Sequence, residues 1–510
     1  MSKHYDLTLL DEPKLTFGFG QQLTHPKDGL LLYGPYYNPH AEGKIRIGLI
    51  STKEGASRYQ RWVRQLSKVI HPAKAGDPNH TVFPGFQATF EAEWPEIPTA
   101  NLVVDADELH RAICMEDRHQ AIHKAVSLYA NAISSFIRER SEVTLDLWIA
   151  VIPEEVYRLG RPESKVSKED RQDSGLLMNK KAATRLLREP SLFDIDNRAA
   201  EIYLYELNFH NQLKARLLQD KVVIQVIRET TLTPEDFKKK NGMPLRSLQD
   251  QATLAWNIAT TAFFKAGGQP WKLSTPRPGV CYVGIVFKKE VLGTNENNAC
   301  CGAQMFLDSG DGVVFRGAVG PWYSPTNKQF HLTRDKAREL MELIVAAYRQ
   351  AHGGEAPTEL FVHGKTRFSF DEWEGFRDTV PDNCKVACVQ IRENLSLKLF
   401  RPGATNIARC LAWIENSSKG YLWSKGFIPR LQTYPGREVP NPLSIEIVRG
   451  DADITVVLND VLALTKLNYN TCIFGDGVPV TLRFANTIGE ILTAGPIKDD
   501  LPPLPFRYYI

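Results

Sequence analysis

The sequence is short of several things, and each shortage narrows what it can be. No uninterrupted apolar run approaches the roughly 20 residues that a membrane-spanning helix needs. The opening MSKHYDLTLLDEPK lacks the apolar stretch of a secretory signal. There is no internal repeat and no low-complexity tract. The eight cysteines form no zinc pattern: Cys384 and Cys388 make a single CxxxC without a second pair, and Cys300 and Cys301 are adjacent. Most lie in apolar runs such as VCYVGIVF and VACVQI, where buried free thiols are common. These absences predict a reducing compartment and a cytoplasmic protein with no membrane partner. Net charge is also nearly missing, at +3 over 510 residues, so any nucleic-acid surface has to be a local patch.

What is present is ordinary in bulk and particular in detail. Apolar residues make up 43% and charged residues 24%, the balance of a globular protein long enough for two domains. From Phe237 to Lys289 nine basic residues (Lys238, Lys239, Lys240, Arg246, Lys265, Lys272, Arg277, Lys288 and Lys289) face one acid, Asp250. A charge run by itself is usually a solvated face.

Periodicity divides the chain. A turn-rich lead-in ends in KDGLLLYGPYYNP. A strand over Lys44–Ile50, a helix around Arg58–Ile70, the turn-bounded FPGF, a long helix near Arg118–Arg138 and the strand LDLWIAVIP follow. Arg158–Asp173 reads as an exposed loop. A helix is expected from about Ala199 to Leu218, with Ile202, Tyr205, Phe209, Leu213 and Leu217 on one stripe. The strand VVIQVI comes next, then a helix over about Leu248–Lys265 that stops at Gly267-Gly268. Alternating strands and helices predict a parallel, Rossmann-like α/β domain to about residue 270. Beyond PWKLSTPRPG the order changes. CYVGIVF, ACCGAQMFL and GVVFRGAVG read as antiparallel strands, the last two joined by the turn DSGDG. A helix over Arg334–Arg349, the strand ELFVH, a helix and the strand CKVACVQI follow. The chain closes on helix-like NDVLALTKL and the segment PVTLRFANTIGEIL. That is the order of a ribonuclease-H-like fold.

Four polar residues stand out in these elements. His210 and Lys214 are four apart on one helix and so point the same way. Gln225 interrupts the apolar strand that follows, and an unsatisfied buried amide costs roughly 1–3 kcal/mol. Lys265 closes a helix directly before Gly-Gly. Singly, each has an ordinary explanation: a structural histidine, a glutamine satisfied by backbone, a lysine offsetting a helix dipole. Together they predict a pocket for one terminal phosphate, which offers acceptors to an imidazolium, two ammonium groups and an amide N–H at once.

HxxxK, then Gln on the next strand, then Lys before Gly-Gly resembles the guide 5′-phosphate pocket in the MID domain of Argonaute proteins. KDGLLLYGP, FPGF, FHNQLKARLL, QVIRETTL, KAGGQPWKL and PVTLRFANTIGEIL agree, so the resemblance runs from about residue 15 to the end. The length leaves no room for the N-terminal and PAZ domains of long Argonautes. The resemblance is therefore to short prokaryotic Argonautes, made of MID and PIWI domains. It implies a lead-in over 1–37, a MID domain over 38–270 and a ribonuclease-H-like PIWI domain over 271–510. His210, Lys214, Gln225 and Lys265 would hold the guide 5′-phosphate. The Ile510 carboxylate would reach a Mg²⁺ ion beside that phosphate. Lys238, Lys239, Lys240, Arg246 and Lys272 would follow the guide backbone.

The resemblance also marks what is absent. PIWI domains that cut hold two Mg²⁺ ions with carboxylates. The first ligand position, in a Gly-Ile-Asp pattern, is occupied by Val286. The second, in Arg-Asp-Gly, is occupied by Gly364, and the last aligns with Asn486. Asp308 and Asp311 sit in the Gly-rich turn, where aspartate is favoured for local hydrogen bonds. An inactive nuclease is expected. The resemblance then implies a guide RNA, a single-stranded DNA target and an APAZ-containing partner that consumes NAD. A TIR-APAZ partner is favoured over a sirtuin-like one, with a higher-order oligomer forming on target binding and NAD depletion as antiviral defence. A guided nuclease with displaced ligands and an α/β protein holding a phosphorylated metabolite are the alternatives.

Overall fold

The computed structural model describes residues 7–496 and 502–510, apart from 42, 75, 79, 175–177, 290–298, 307–311, 325, 327, 435 and 437. The expected turn with Asp308 and Asp311 lies outside the described residues.

The first half is built on a four-stranded parallel sheet in the order Ala100–Val103, Ile47–Ser51, Leu147–Ile152, Ile224–Arg228. Its central strands IGLIS and LWIAVI are buried along their whole length, as parallel strands covered on both faces must be. The helix Lys53–Leu66 starts on Thr52, whose hydroxyl accepts from Gly55 N–H. The helix Arg118–Glu139 starts on Asp117 and lays Ala121, Ile122, Ala125, Val126 and Tyr129 against the sheet.

The second half carries a ten-stranded sheet. At its centre Gly312–Gly320, Ala299–Phe306 and Val280–Lys289 run antiparallel, and Glu359–Gly364 and Lys385–Glu393 continue in parallel. This is the strand order of a ribonuclease-H-like core, as the sequence predicts. The helices Arg334–Ala351 and Phe370–Arg377 cover one face through Leu340, Ile344, Val345 and Phe376.

The lead-in is woven into this second half. Leu7–Leu9 pairs with Leu411–Asn416 at the edge of the large sheet, and Leu15–Thr16 pairs with Lys272–Leu273. Glu12 pairs with Arg409 and with the buried Lys466. One apolar core runs from Ile47 and Leu49 through Trp256, Phe263 and Trp271 to Tyr469. Trp271 donates to Lys466 O, and Tyr469 donates back to Trp271 O. Each such fully buried ring contributes roughly 1.5–3 kcal/mol, so the two halves are fastened at the junction.

One expected helix is broken. In place of a helix from Ala199 to Leu218, the chain forms Asp194–Glu201, a single turn Ile202–Leu204, and a new helix Phe209–Leu217. Glu206 N–H bonds across to Ala494 O, and Asn208 caps the new helix by accepting from Asn211 N–H. Of the predicted stripe, Phe209, Leu213 and Leu217 are in the core, while Tyr205 packs at a tilt against His123. Among the described cysteines all are free, and all but the half-buried Cys384 are buried. No described helix is long and apolar enough to cross a membrane.

Candidate functional site

The broken helix changes the surroundings of His210. It sits at the second position of a helix capped by Asn208, not in mid-helix. The positive end of the helix dipole therefore lies beside it, which favours an anion there. Lys214, one turn on, is 3% exposed. Its Nζ donates to Tyr509 O at 3.0 Å and to the Ile510 main-chain oxygen at 2.5 Å.

Lys265 arrives from the other side. Its helix, Gln251–Lys265, starts on Asp250, which accepts from Ala252 and Thr253 N–H. It ends with Gly268 N–H on Phe263 O and Gly267 N–H on Phe264 O, a Schellman stop. Gly267 has φ +99°. A Cβ on Gly268 would lie 2.3 Å from the Phe263 ring. That stop holds Lys265 in the last turn, 1% exposed. Its Nζ donates to Ile224 O at 2.9 Å and to Gln225 Oε1 at 2.7 Å. Gln225, half-buried on the edge strand, donates its own N–H to Val226 O at 3.3 Å.

The electrostatics follow from burial. Among the described residues neither lysine has a carboxylate side chain within ion-pair distance. Burial pushes the Lys214 ammonium down to about 7. Burial, and then the Lys214 charge, pushes Lys265 well below the ordinary lysine value. Burial and Lys214 hold His210 down to about 3, against a weaker opposing hydrogen bond from Asn211. Without an anion, His210 is therefore held as a neutral imidazole. Three groups that all prefer an anion lie near one another, and burial, with a smaller part from their mutual repulsion, has removed part of their charge.

His210 and Gln225 open onto a cavity of about 620 Å³ at the carboxyl ends of the last two parallel strands, where ligands of open α/β sheets bind. Its wall adds residues the sequence did not single out: Tyr157, Arg161, Arg228 and Thr231. The Tyr157 ring lies between the Arg161 guanidinium, 3.8 Å from its centroid, and that of Arg228, at 3.5 Å. Arg228 also pairs with Glu154. No spacing rule links Tyr157 to Arg228, which meet only through the neighbouring strands. Arg246, expected on the guide backbone, lines this same cavity and donates to Thr230 Oγ1 at 3.2 Å.

The basic run does not form one uniform face. Lys238, Lys239 and Lys240 are exposed on the hairpin-like turn closed by Lys238 and Pro244. Lys272 places its ammonium 4.3 Å from the Tyr36 ring centroid. Lys265 is buried, Arg277 pairs with Glu359 and Asp460, and Lys288 pairs with Glu490. Those three are engaged within the fold.

Two of the three nuclease positions, Val286 and Gly364, are packed shut. Val286 is 4% exposed, and its Cγ1 lies 3.4 Å from where a Cβ on Gly489 would stand, in the helix Ala485–Leu492. Lys288, on the same side of that strand, is also close to Gly489. A Cβ on Gly364 would come within 2.6 Å of the Phe368 ring. Asn486 is exposed in the first turn of its helix. The nearby His363 is buried and held down to about 3 by burial, with Nδ1 2.9 Å from Thr481 Oγ1. Among the described residues no metal-holding group of histidine, cysteine and acids lies here.

No family model and no curated protein matches this sequence. Solved structures do. Clostridium butyricum Argonaute bound to a guide DNA and a 19-mer target DNA aligns over 98% of this chain and 55% of its own, at 16% identity and TM-score 0.58. Drosophila Piwi aligns over 99% and 56%, at 11% identity and TM-score 0.57. Aa-Ago with externally bound siRNA aligns over 98% and 56%, at 14% identity and TM-score 0.53. The chain spans about half the length of these structures. At such identities the likeness is one of fold: this chain has an Argonaute-like fold.

Proposed function

We propose that this chain is a guide-holding, non-cleaving Argonaute subunit. In this reading it binds the 5′-phosphate of a guide RNA around His210, Lys214, Gln225 and Lys265. It offers that guide to a complementary single-stranded DNA, in the cytoplasm, and leaves the target uncut. Its output is activation of an APAZ-containing, NAD-consuming partner, TIR-APAZ in preference to sirtuin-like, in a higher-order oligomer that depletes NAD in defence.

One observation carries the binding half. Two buried lysines with no carboxylate side chain in reach converge on one place, beside the N-terminus of the His210 helix. Lys214 already meets the Ile510 main-chain oxygen. Lys265 has a main-chain oxygen and the Gln225 amide as partners; burying an ammonium group without a counter-charge costs several kcal/mol, and an anionic ligand offsets that cost. A phosphate also matches the donors: two ammonium groups, an imidazole N–H and an amide N–H. Sequence choice would pass to base pairing, as in other guided systems. Exposed Lys238, Lys239 and Lys240, with Lys272, would add salt-dependent backbone contacts.

Mg²⁺ takes oxygen ligands and keeps much of its water. Gln225 Oε1 and the Ile510 main-chain oxygen are the hard oxygens beside the lysines, and phosphate oxygens would complete a suitable set. The Ile510 oxygen would hold the ion, which when bound supplies positive charge against the phosphate.

The non-cleaving half rests on Val286, Gly364 and Asn486, none of which supplies a carboxylate. Three measurements test the reading. RNA bearing a 5′-phosphate should bind more tightly than the same RNA with a 5′-hydroxyl, and equal affinities would sink it. Guide RNA and labelled complementary DNA should give no product with Mg²⁺ or Mn²⁺; a product lost in Asp308→Ala or Asp311→Ala would restore the nuclease alternative. Co-expressed with a TIR-APAZ protein, the complex should consume NAD only when guide and target are both present.

A further inference from the structure

Away from the phosphate pocket, three ligating side chains meet that the proposed function does not use, two of them, His110 and Glu155, already paired across two helices. His110 lies in the last turn of the helix Ala106–Ile113, and Cys114 is its C-cap. Four residues apart, they share a face. Glu155 comes from the first turn of the short helix Glu154–Leu159. His110 Nδ1 is 2.9 Å from Glu155 Oε1 and 3.8 Å from Cys114 Sγ. All three ligand atoms lie within 4.8 Å of one another.

We propose that His110, Cys114 and Glu155 form a binding site for a zinc-class divalent metal ion that braces these two helices against each other. Tetrahedral zinc, with bonds of about 2.0–2.3 Å, sets its ligand atoms roughly 3.4–3.6 Å apart. The two His110 separations, 2.9 and 3.8 Å, fall on either side of that range, so rotamer adjustments of up to about an ångström would complete the geometry. One nitrogen, one sulfur and one oxygen make a borderline-soft set that suits zinc over magnesium or calcium. Cys114 is buried while His110 and Glu155 are partly exposed, which gives the ion a way in and leaves a fourth position for water. Glu155 and Asp170 are the acids near the thiol, and Arg118 and Arg158 are the nearby cations. Arg118 already ties the same two helices, through Ile113 O and Leu159 O. A metal would add a second tie.

The sequence could not offer this site as a zinc motif, because its third ligand belongs to a distant segment. The site stands whether or not the phosphate pocket binds RNA. The test is cobalt substitution in the full chain after chelation. One equivalent of Co²⁺ should bind with a thiolate-to-metal charge-transfer band, and Zn²⁺ should displace it and raise the melting temperature. His110→Ala and Glu155→Gln, at partly exposed positions that tolerate change, should each weaken binding at least tenfold and remove the zinc-dependent rise. Cys114→Ser should abolish the charge-transfer band. No band in the unaltered chain, or unchanged stoichiometric binding in His110→Ala and Glu155→Gln, would overturn the proposal and leave adventitious metal binding only.

Discussion

The pocket around Lys214 and the strand end around Val286 treat buried space in opposite ways. Around Lys214 the fold gathers cationic groups, excludes water, and provides only main-chain oxygens and one amide as partners. Around Val286 it fills the space with a branched apolar side chain, a close-packed helix at Gly489 and the Phe368 ring beside Gly364. The first region is left electrostatically incomplete and the second is complete. An incomplete buried charge calls for a ligand, whereas a filled apolar gap has no place for a hydrated ion.

The contrast breaks most readily at the lysines. Removing both, as Lys214→Ala plus Lys265→Ala, should reduce affinity for 5′-phosphorylated RNA by about 3–6 kcal/mol, at roughly 1.5–3 kcal/mol per charge-assisted bond. Binding of 5′-hydroxyl RNA should change far less. Fluorescence anisotropy on both oligonucleotides reads the difference, and an unchanged preference for the phosphate would remove the pocket assignment.

On the other side, Val286→Asp should not create a metal site. It should bury an unpaired carboxylate and destabilise the chain by on the order of 3–5 kcal/mol. Denaturant unfolding with and without Mg²⁺ checks this; a Mg²⁺-dependent recovery of stability would show that the region can hold an ion after all.

The pH dependence sharpens the comparison further. Lys214 titrates near 7 when the pocket is empty, and a bound phosphate favours its charged form. Affinity for the 5′-phosphate should therefore fall as pH rises above 7, by at most about tenfold per unit. The sign for stability is the reverse. A lysine whose folded value lies below its unfolded value destabilises fully below pH 7, and that cost fades as pH climbs toward the ordinary lysine value. Calorimetric melting of the empty chain and guide titrations across pH 6–9 should move in opposite directions.

The smallest expected effect is at the helix stop. Gly267→Ala forces a side chain into φ +99° and should cost roughly 1–2 kcal/mol. It should also loosen Lys265, so a modest drop in melting temperature should come with weaker phosphate discrimination. A stability loss with discrimination intact would detach the stop from the site.

Much of this was legible before any coordinates. The four polar residues proposed for the pocket stood out in the sequence, an i, i+4 pair, a polar residue inside an apolar strand and a lysine before Gly-Gly, though each alone had an ordinary explanation and their order and company carried the reading. The five strands from Val280 to Glu393 followed from the run of strands and helices, whereas the five others of the large sheet, Leu411–Asn416 and Leu443–Arg449 among them, did not. Other features were out of reach. The break between Leu204 and Phe209 depends on Glu206 bonding to Ala494, which no periodicity within 199–218 encodes. The Tyr157–Arg228 stack and the His110–Glu155 contact join segments that only folding brings together.

By itself, then, the amino-acid order determined most of the central elements, the alternation of the first half and the residue types standing at each chemical position, because helix and strand periods are properties of neighbours along the chain. The tertiary structure alone decided which of those residues meet, that burial holds His210 neutral and lowers both lysines, and that the Val286 and Gly364 positions are filled. Desolvation and Coulomb energies depend on distance through space and on what displaces water, and neither quantity exists until the chain has closed on itself.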